Sequence, residues 1–158
     1  MDRSATIAEL AAHLQSRGWW LSCAESCTGG GIAAALTDVA GSSAWFDRGF
    51  VTYSNQAKRD MLGVADATLS AFGAVSRETV TEMASGALAR SAAQLSVAVT
   101  GIAGPGGGTP DKPVGTVWIA WASAARVEAV CQHFSGDRAA VRAATVDAAL
   151  RGLLQRVR

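Results

Sequence analysis

The sequence is short of charge. Of its 158 residues, 17% are Asp, Glu, Lys or Arg, against roughly a quarter in an average soluble domain. Lysine is scarcest, with only Lys58 and Lys112. Net charge is +1 and no basic run occurs, so the electrostatic footprint of a nucleic-acid binder is missing. No apolar stretch approaches the roughly 18–20 residues of a membrane-spanning helix. Met1 to Glu9 carries charges and lacks the apolar core of a secretion signal. These absences argue against nucleic-acid partners and membrane insertion. Cysteine is also sparse. The three cysteines are an odd number without framework spacing, so free thiols in a reducing cytoplasm are expected. His13 and His133 stand alone, and Cys23 and Cys27 have no second cysteine pair. No metal site is expected.

Hydrophobic residues are plentiful at 49%, and many are alanine. The length suits one domain over residues 1–158 with a real core. A weakly charged surface predicts a homo-oligomer, a dimer first.

Helical and strand periodicities alternate along the chain. Ser4 is read as the cap of a first helix with Ile7, Leu10, Ala11 and Leu14 on one face and Gly18 at its end. Trp19 to Ala24 reads as a buried strand, Glu25 to Gly31 as a turn of small residues, and Ile32 to Leu36 as a helix. Gly41 to Ser43 is a turn and Gly49 to Ser54 a strand. Asn55 is read as the cap of a short helix ending near Gly63, and Ala65 to Gly73 as irregular or a single turn. Ser76 caps the clearest helix, with Val75 and Val80 at hydrophobic-staple positions and Val80, Met83, Ala84, Ala87 and Leu88 on its apolar face. Leu95 to Thr100 is a buried strand, and Gly101 to Pro113 a Gly/Pro loop. Val114 to Ala122 and Arg126 to Phe134 are strands of a hairpin turning at Ser123 to Ala125. Asp137 caps a last helix. The expected fold class is therefore α/β, a single three-layer α/β/α domain with a mixed sheet and helices on both faces.

Four segments carry possible chemistry. Glu25-Ser26-Cys27-Thr28-Gly29-Gly30-Gly31 joins a strand to a helix through three glycines, each of which costs helix stability by about 1 kcal/mol relative to alanine. Free amides at a helix start suit an anion or an oxyanion. Ser26, read as the N-cap, would attack a carbonyl held there. The same pattern fits a plain cap with glycines for close packing, and the local residues leave both readings open. Cys27 is a rival nucleophile, although no histidine partner is evident. With Asn55 as cap, Lys58 falls at the third helical position, where a cation opposes the helix dipole. Repulsion or burial there lowers a lysine's pKa towards that of a general base; a solvated surface lysine is the commoner alternative. Thr100 and Gly101 end a strand, at the edge where α/β crevices form. Gly106 to Gly108 read as a flexible loop. The segment is neither a dinucleotide fingerprint nor a P-loop. Arg138 and Arg142, four apart at the start of the last helix, form a candidate phosphate clamp or a solvated face.

Taken together, these segments resemble the CinA C-terminal domain family. Ala24-Glu25-Ser26-Cys27-Thr28-Gly29-Gly30, Ala40-Gly41-Ser42-Ser43, Phe50-Val51-Thr52-Tyr53-Ser54-Asn55 with Lys58, and Leu62-Gly63-Val64 carry the likeness. So do Gly73-Ala74-Val75-Ser76, Gly101-Ile102-Ala103-Gly104-Pro105, Lys112-Pro113-Val114-Gly115-Thr116-Val117 and Phe134-Ser135-Gly136-Asp137-Arg138. The likeness runs in order from about Ser4 to the last helix. It implies an amidohydrolase that converts nicotinamide mononucleotide and water to nicotinic acid mononucleotide and ammonia without metal or organic cofactor. It implies Ser26 as nucleophile, with Lys58, Tyr53 and Thr100 as catalytic partners. Cys27, Thr28, Gly29, Gly30, Asn55 and Gly101 are expected around the substrate, with Arg142 first and Arg138 second for its phosphate. Longer relatives carry an extra N-terminal domain, and this chain resembles the stand-alone form. Two alternatives stay open: a non-catalytic nucleotide-binding or regulatory module linked to competence or DNA damage, and an amidase for another pyridine amide.

Overall fold

The computed structural model describes residues 1–158. Helix α1 (Arg3–Arg17) leads into strand β1 (Leu21–Glu25) and helix α2 (Gly31–Thr37). A 3-10 turn (Ser42–Ala44) precedes β2 (Phe46–Val51). Three helices follow, α3 (Asn55–Leu62), α4 (Asp66–Phe72) and α5 (Arg77–Ala89). The chain closes with β3 (Leu95–Gly101), β4 (Thr116–Ser123), β5 (Val127–His133) and α6 (Arg138–Val157). None of these helices is long and apolar enough to cross a membrane.

The five strands form one sheet in the order β2-β1-β3-β4-β5. β1 runs parallel to both β2 and β3, and β4 is antiparallel to β3 and β5. The mixed sheet and the β4–β5 hairpin match the expectation from sequence. Alternation along the strands gives the two faces different characters. Leu21, Cys23, Val97, Val99, Val117, Ile119 and Trp121 join a cluster with residues of α1, α2 and α6. Ala24, Ala98, Ala120 and Ala122 point the other way, onto α5 and its neighbours. Alanines on that face let α5 lie close to the sheet. Strand hydroxyls then reach helix carbonyls: Ser96 Oγ donates to the Ala84 carbonyl at 2.7 Å, and Ser22 Oγ to that of Ala87 at 3.3 Å.

Several boundaries differ from the sequence reading. The side chain of Asp2, not Ser4, caps α1 by accepting from the Ala5 amide. β2 starts at Phe46 and stops at Val51, about three residues early, because Phe46-Asp47-Arg48 is a half-exposed edge without the alternation of a core strand. Residues 66–72 form a helix instead of an irregular stretch. Its capping residue, Ala65, has no side chain able to bond, so no capping signal marks the start. Gly18, Gly63, Ser76 and Asp137 cap their helices as read.

Candidate active site

The parallel strands β1, β2 and β3 end side by side, at Glu25, Val51 and Gly101. β1 connects to β2 through α2 on one face, and β2 to β3 through α3, α4 and α5 on the other. Such a reversal leaves a crevice at the carboxyl ends of the strands. A cleft of about 290 Å³ lies there, lined by Ser26, Cys27, Tyr53, Asn55, Lys58, Ala74, Val75, Thr100, Gly101, Ile102, Ala103, Gly104, Gly106, Gly107 and Arg138.

Ser26 is 8% exposed. It follows β1 directly, and its amide donates to the Val99 carbonyl of β3 at 3.2 Å. The reading of Ser26 as N-cap is corrected. Helix α2 starts at Gly31 and its cap is Gly30. Ser26 instead opens a turn closed by Gly29 N–H donating to the Ser26 carbonyl at 3.1 Å. Gly29 and Gly30 take positive φ in that turn, +59° and +104°, which other residues adopt only with strain.

Lys58 is 1% exposed, so the surface alternative falls. Ser54, not Asn55, caps α3, and its side chain accepts from the Ala57 amide. Lys58 is therefore the fourth helical residue rather than the third. Its Nζ lies 3.1 Å from Ser26 Oγ, 3.0 Å from the Thr52 carbonyl oxygen and 3.2 Å from that of Tyr53. β2 ends just before these two carbonyls, which is what turns them towards the lysine. Lys58 forms no ion pair. Burial pushes its pKa below the ordinary lysine value, with nearby Cys27 acting weakly in the opposite sense. The sequence reading had the direction right; burial is the cause, not the first-turn dipole. A neutral amine can donate to both carbonyls and turn its lone pair to the Ser26 hydroxyl. That is the arrangement of a nucleophile with its base.

Cys27 lines the same cleft, but burial raises its thiol pKa to about 11. The cleft contains no histidine. A protonated thiol is a poor nucleophile, and the Lys58 amine meets Ser26 Oγ, so the geometry favours Ser26.

The other expected residues divide into two groups. Tyr53, Asn55, Thr100, Gly101 and Arg138 meet in the cleft. Thr100 Oγ1 donates to the Ala74 carbonyl at 2.9 Å. Gly101 admits no side chain: a Cβ would fall 2.6 Å from Val117 Cγ2. Tyr53 is 61% exposed. Its hydroxyl accepts from an Arg138 guanidinium N–H at 3.1 Å, while another Arg138 N–H reaches the Gly104 carbonyl at 3.0 Å. Tyr53 thus touches Lys58 through its carbonyl and Arg138 through its hydroxyl. Thr28, Gly29, Gly30 and Arg142 do not line the cleft. Arg142 donates to the carbonyls of Cys27 and Thr28, both at 3.1 Å, and so braces the turn after Ser26 from behind. Arg138 thus lies in the cleft and Arg142 against the turn. Both arginines border an adjoining hollow of about 650 Å³ at the start of α6.

Several residues escaped the sequence reading. Ala74, Val75, Ile102 and Ala103, read only as parts of motifs and, for Val75, as a hydrophobic staple, wall the cleft. Gly106 and Gly107, read as a flexible loop, line it as well. Glu25 was seen only as part of a motif. Its signal was an acidic residue closing an otherwise uncharged strand.

The CinA C-terminal domain model matches residues 3–157. A protein of Enterobacter agglomerans named nicotinamide-nucleotide amidohydrolase PncC is 60% identical over 85% of this chain and 82% of its own. One of the same name from Pseudomonas putida is 54% identical over 98% of both chains. The crystal structure of the competence/damage inducible protein CihA from Agrobacterium tumefaciens superposes with a TM-score of 0.94 at 51% identity, covering 98% of this chain and 95% of that one. The chain belongs to the CinA C-terminal domain family.

Proposed function

We propose that this chain is a nicotinamide-nucleotide amidase that hydrolyses the carboxamide of nicotinamide mononucleotide through Ser26 and Lys58. The observation that carries the reading is the buried Lys58 Nζ, 3.1 Å from Ser26 Oγ and without a carboxylate partner. A binding module has no use for an unpaired buried amine, which costs stability. The named amidohydrolase relatives at 54–60% identity support the substrate.

Neutral Lys58 takes the Ser26 proton as Oγ attacks the carboxamide carbon. The oxyanion forms beside the Cys27 amide, which lines the cleft and makes no backbone hydrogen bond within the chain. As the C–N bond breaks, the Lys58 ammonium returns its proton to the leaving nitrogen and ammonia departs. Water then attacks the acyl ester, with Lys58 again accepting a proton, and the carboxylate product and free Ser26 result. Lys58 acts directly, because its Nζ already reaches Ser26 Oγ, whereas it meets Tyr53 only at the carbonyl. Arg138, at the junction of cleft and hollow, is the candidate phosphate ligand. Arg142 holds the turn. The reading includes a cytoplasmic setting and a homo-oligomer, supported by the free thiols and the low charge of the sequence.

Ammonia release should be measured with nicotinamide mononucleotide, nicotinamide, NAD and glutamine. The mononucleotide should be turned over fastest, and Arg138→Ala should raise its KM by about tenfold or more, the worth of a lost bond to a charged group. Equal rates on nicotinamide and its mononucleotide, or release from glutamine alone, would overturn the assignment.

A further inference from the structure

Glu25 is 1% exposed at the end of β1, beside the nucleophile. It makes no ion pair. Its side chain instead gathers donors from the turn and helix that follow. Oε1 accepts from Thr28 Oγ1 at 2.6 Å, the Gly30 amide at 3.2 Å and the Ile32 amide at 2.8 Å. Oε2 accepts from the Ala33 amide at 3.0 Å and lies 3.7 Å from Cys23 Sγ. The free amides at the start of α2, which the sequence offers to a ligand, are thus occupied by the chain's own acid.

The backbone of Glu25 reaches the other half of the site. Its carbonyl accepts from the Thr52 amide at 2.8 Å, and the Thr52 carbonyl in turn accepts from Lys58 Nζ. One residue therefore anchors the turn that carries Ser26 and the strand end that carries the lysine's acceptor. We propose that Glu25 is a positioning residue, whose side chain sets the Ser26 turn so that the hydroxyl meets Lys58 and the Cys27 amide stays free for the oxyanion. This rests on Ser26 being the nucleophile. The chemistry asks for two acceptor oxygens, since donors approach both. A glutamine of the same shape must set its NH2 against at least one N–H, and a misplacement of about 1 Å at a reacting atom costs roughly a hundredfold in rate.

The test is the rate at which a fluorophosphonate labels Ser26, read by intact mass. In that step the Ser26 O–P bond forms, the P–F bond breaks, fluoride leaves and the proton passes to Lys58; no nucleotide is needed. Glu25→Gln should be labelled about tenfold or more slowly than the native chain, at a temperature where circular dichroism shows both folded. Its kcat for amide hydrolysis should fall by a similar factor with KM within about threefold, the pattern of a lost transition-state interaction. Thr28→Val, which deletes one donor to Oε1, should slow labelling severalfold, and Thr28→Ser should restore it. The threonine pair keeps the test decisive if Glu25→Gln does not fold. Labelling of Glu25→Gln, or of Thr28→Val, at the native rate would overturn the positioning role alone. A native chain that resists the probe at Ser26 would overturn the nucleophile reading together with it.

Discussion

Lys58 is buried beside Ser26 among two carbonyl oxygens, with burial depressing its pKa. This arrangement has consequences for rate and for stability. Only the neutral amine accepts the serine proton. The rate of amide hydrolysis should therefore rise with pH through the depressed lysine pKa and level off above it, well before the ordinary lysine range of about 10.4. The stability effect has its own sign. Between the depressed folded value and the ordinary one, the unfolded chain binds more protons than the folded chain, so native stability rises with pH across that window. Lys58→Met should abolish turnover and remove this pH dependence, so that the stability difference between the two chains shifts in favour of the native one as pH climbs through the window. Urea unfolding at several pH values measures this; a difference that stays constant with pH would contradict the depressed lysine pKa. From sequence, Ser26 and Lys58 were both legible as candidates. Their local patterns alone could not separate a nucleophile from a cap, or a base from a surface lysine. That distinction is made by burial, which depends on the ends of three strands coming together.

Caps and periodicity served well for the elements. Gly18, Gly63, Ser76 and Asp137 mark helix ends through their own chemistry, and the apolar face of α5 is written in its spacing. The errors of extent fell where that chemistry is absent, at the uncapped α4 and the half-exposed edge strand β2, while at α1, α2 and α3 another residue, Asp2, Gly30 and Ser54, holds the cap position. Gly86 illustrates what spacing does not disclose. It lies on the buried side of α5, where a Cβ would stand 2.1 Å from the Leu62 carbonyl oxygen at the end of α3. The obstacle is backbone, so the two helices would have to part. Gly86→Ala should destabilise the fold by about 3 kcal/mol, despite alanine's better helix propensity. A urea midpoint shifted down at constant slope checks this, and an unchanged midpoint would show that the α3–α5 contact yields freely. Because α3 carries Lys58, activity should drop in the same variant.

Across the whole molecule, the sheet order places the ends of β1, β2 and β3 at one edge, with helices from both faces converging on it. The three-layer architecture and the location of the crevice followed from the alternation of elements and the end of a strand at Thr100 and Gly101. The roles of Arg138 and Arg142 did not, since both share one helix face. What separates them is docking at a distance: Arg138 meets Tyr53 and the Gly104 loop, and Arg142 meets the carbonyls behind Ser26. The same tertiary convergence links Glu25 to Thr52, Thr52 to Lys58 and Lys58 to the Ser26 hydroxyl. The central claim is that this hydroxyl attacks the carboxamide, and ammonia release from nicotinamide mononucleotide by Ser26→Ala tests it most directly. The account predicts a loss of about a thousandfold or more with the fold intact; a folded Ser26→Ala chain that releases ammonia at the native rate would contradict it.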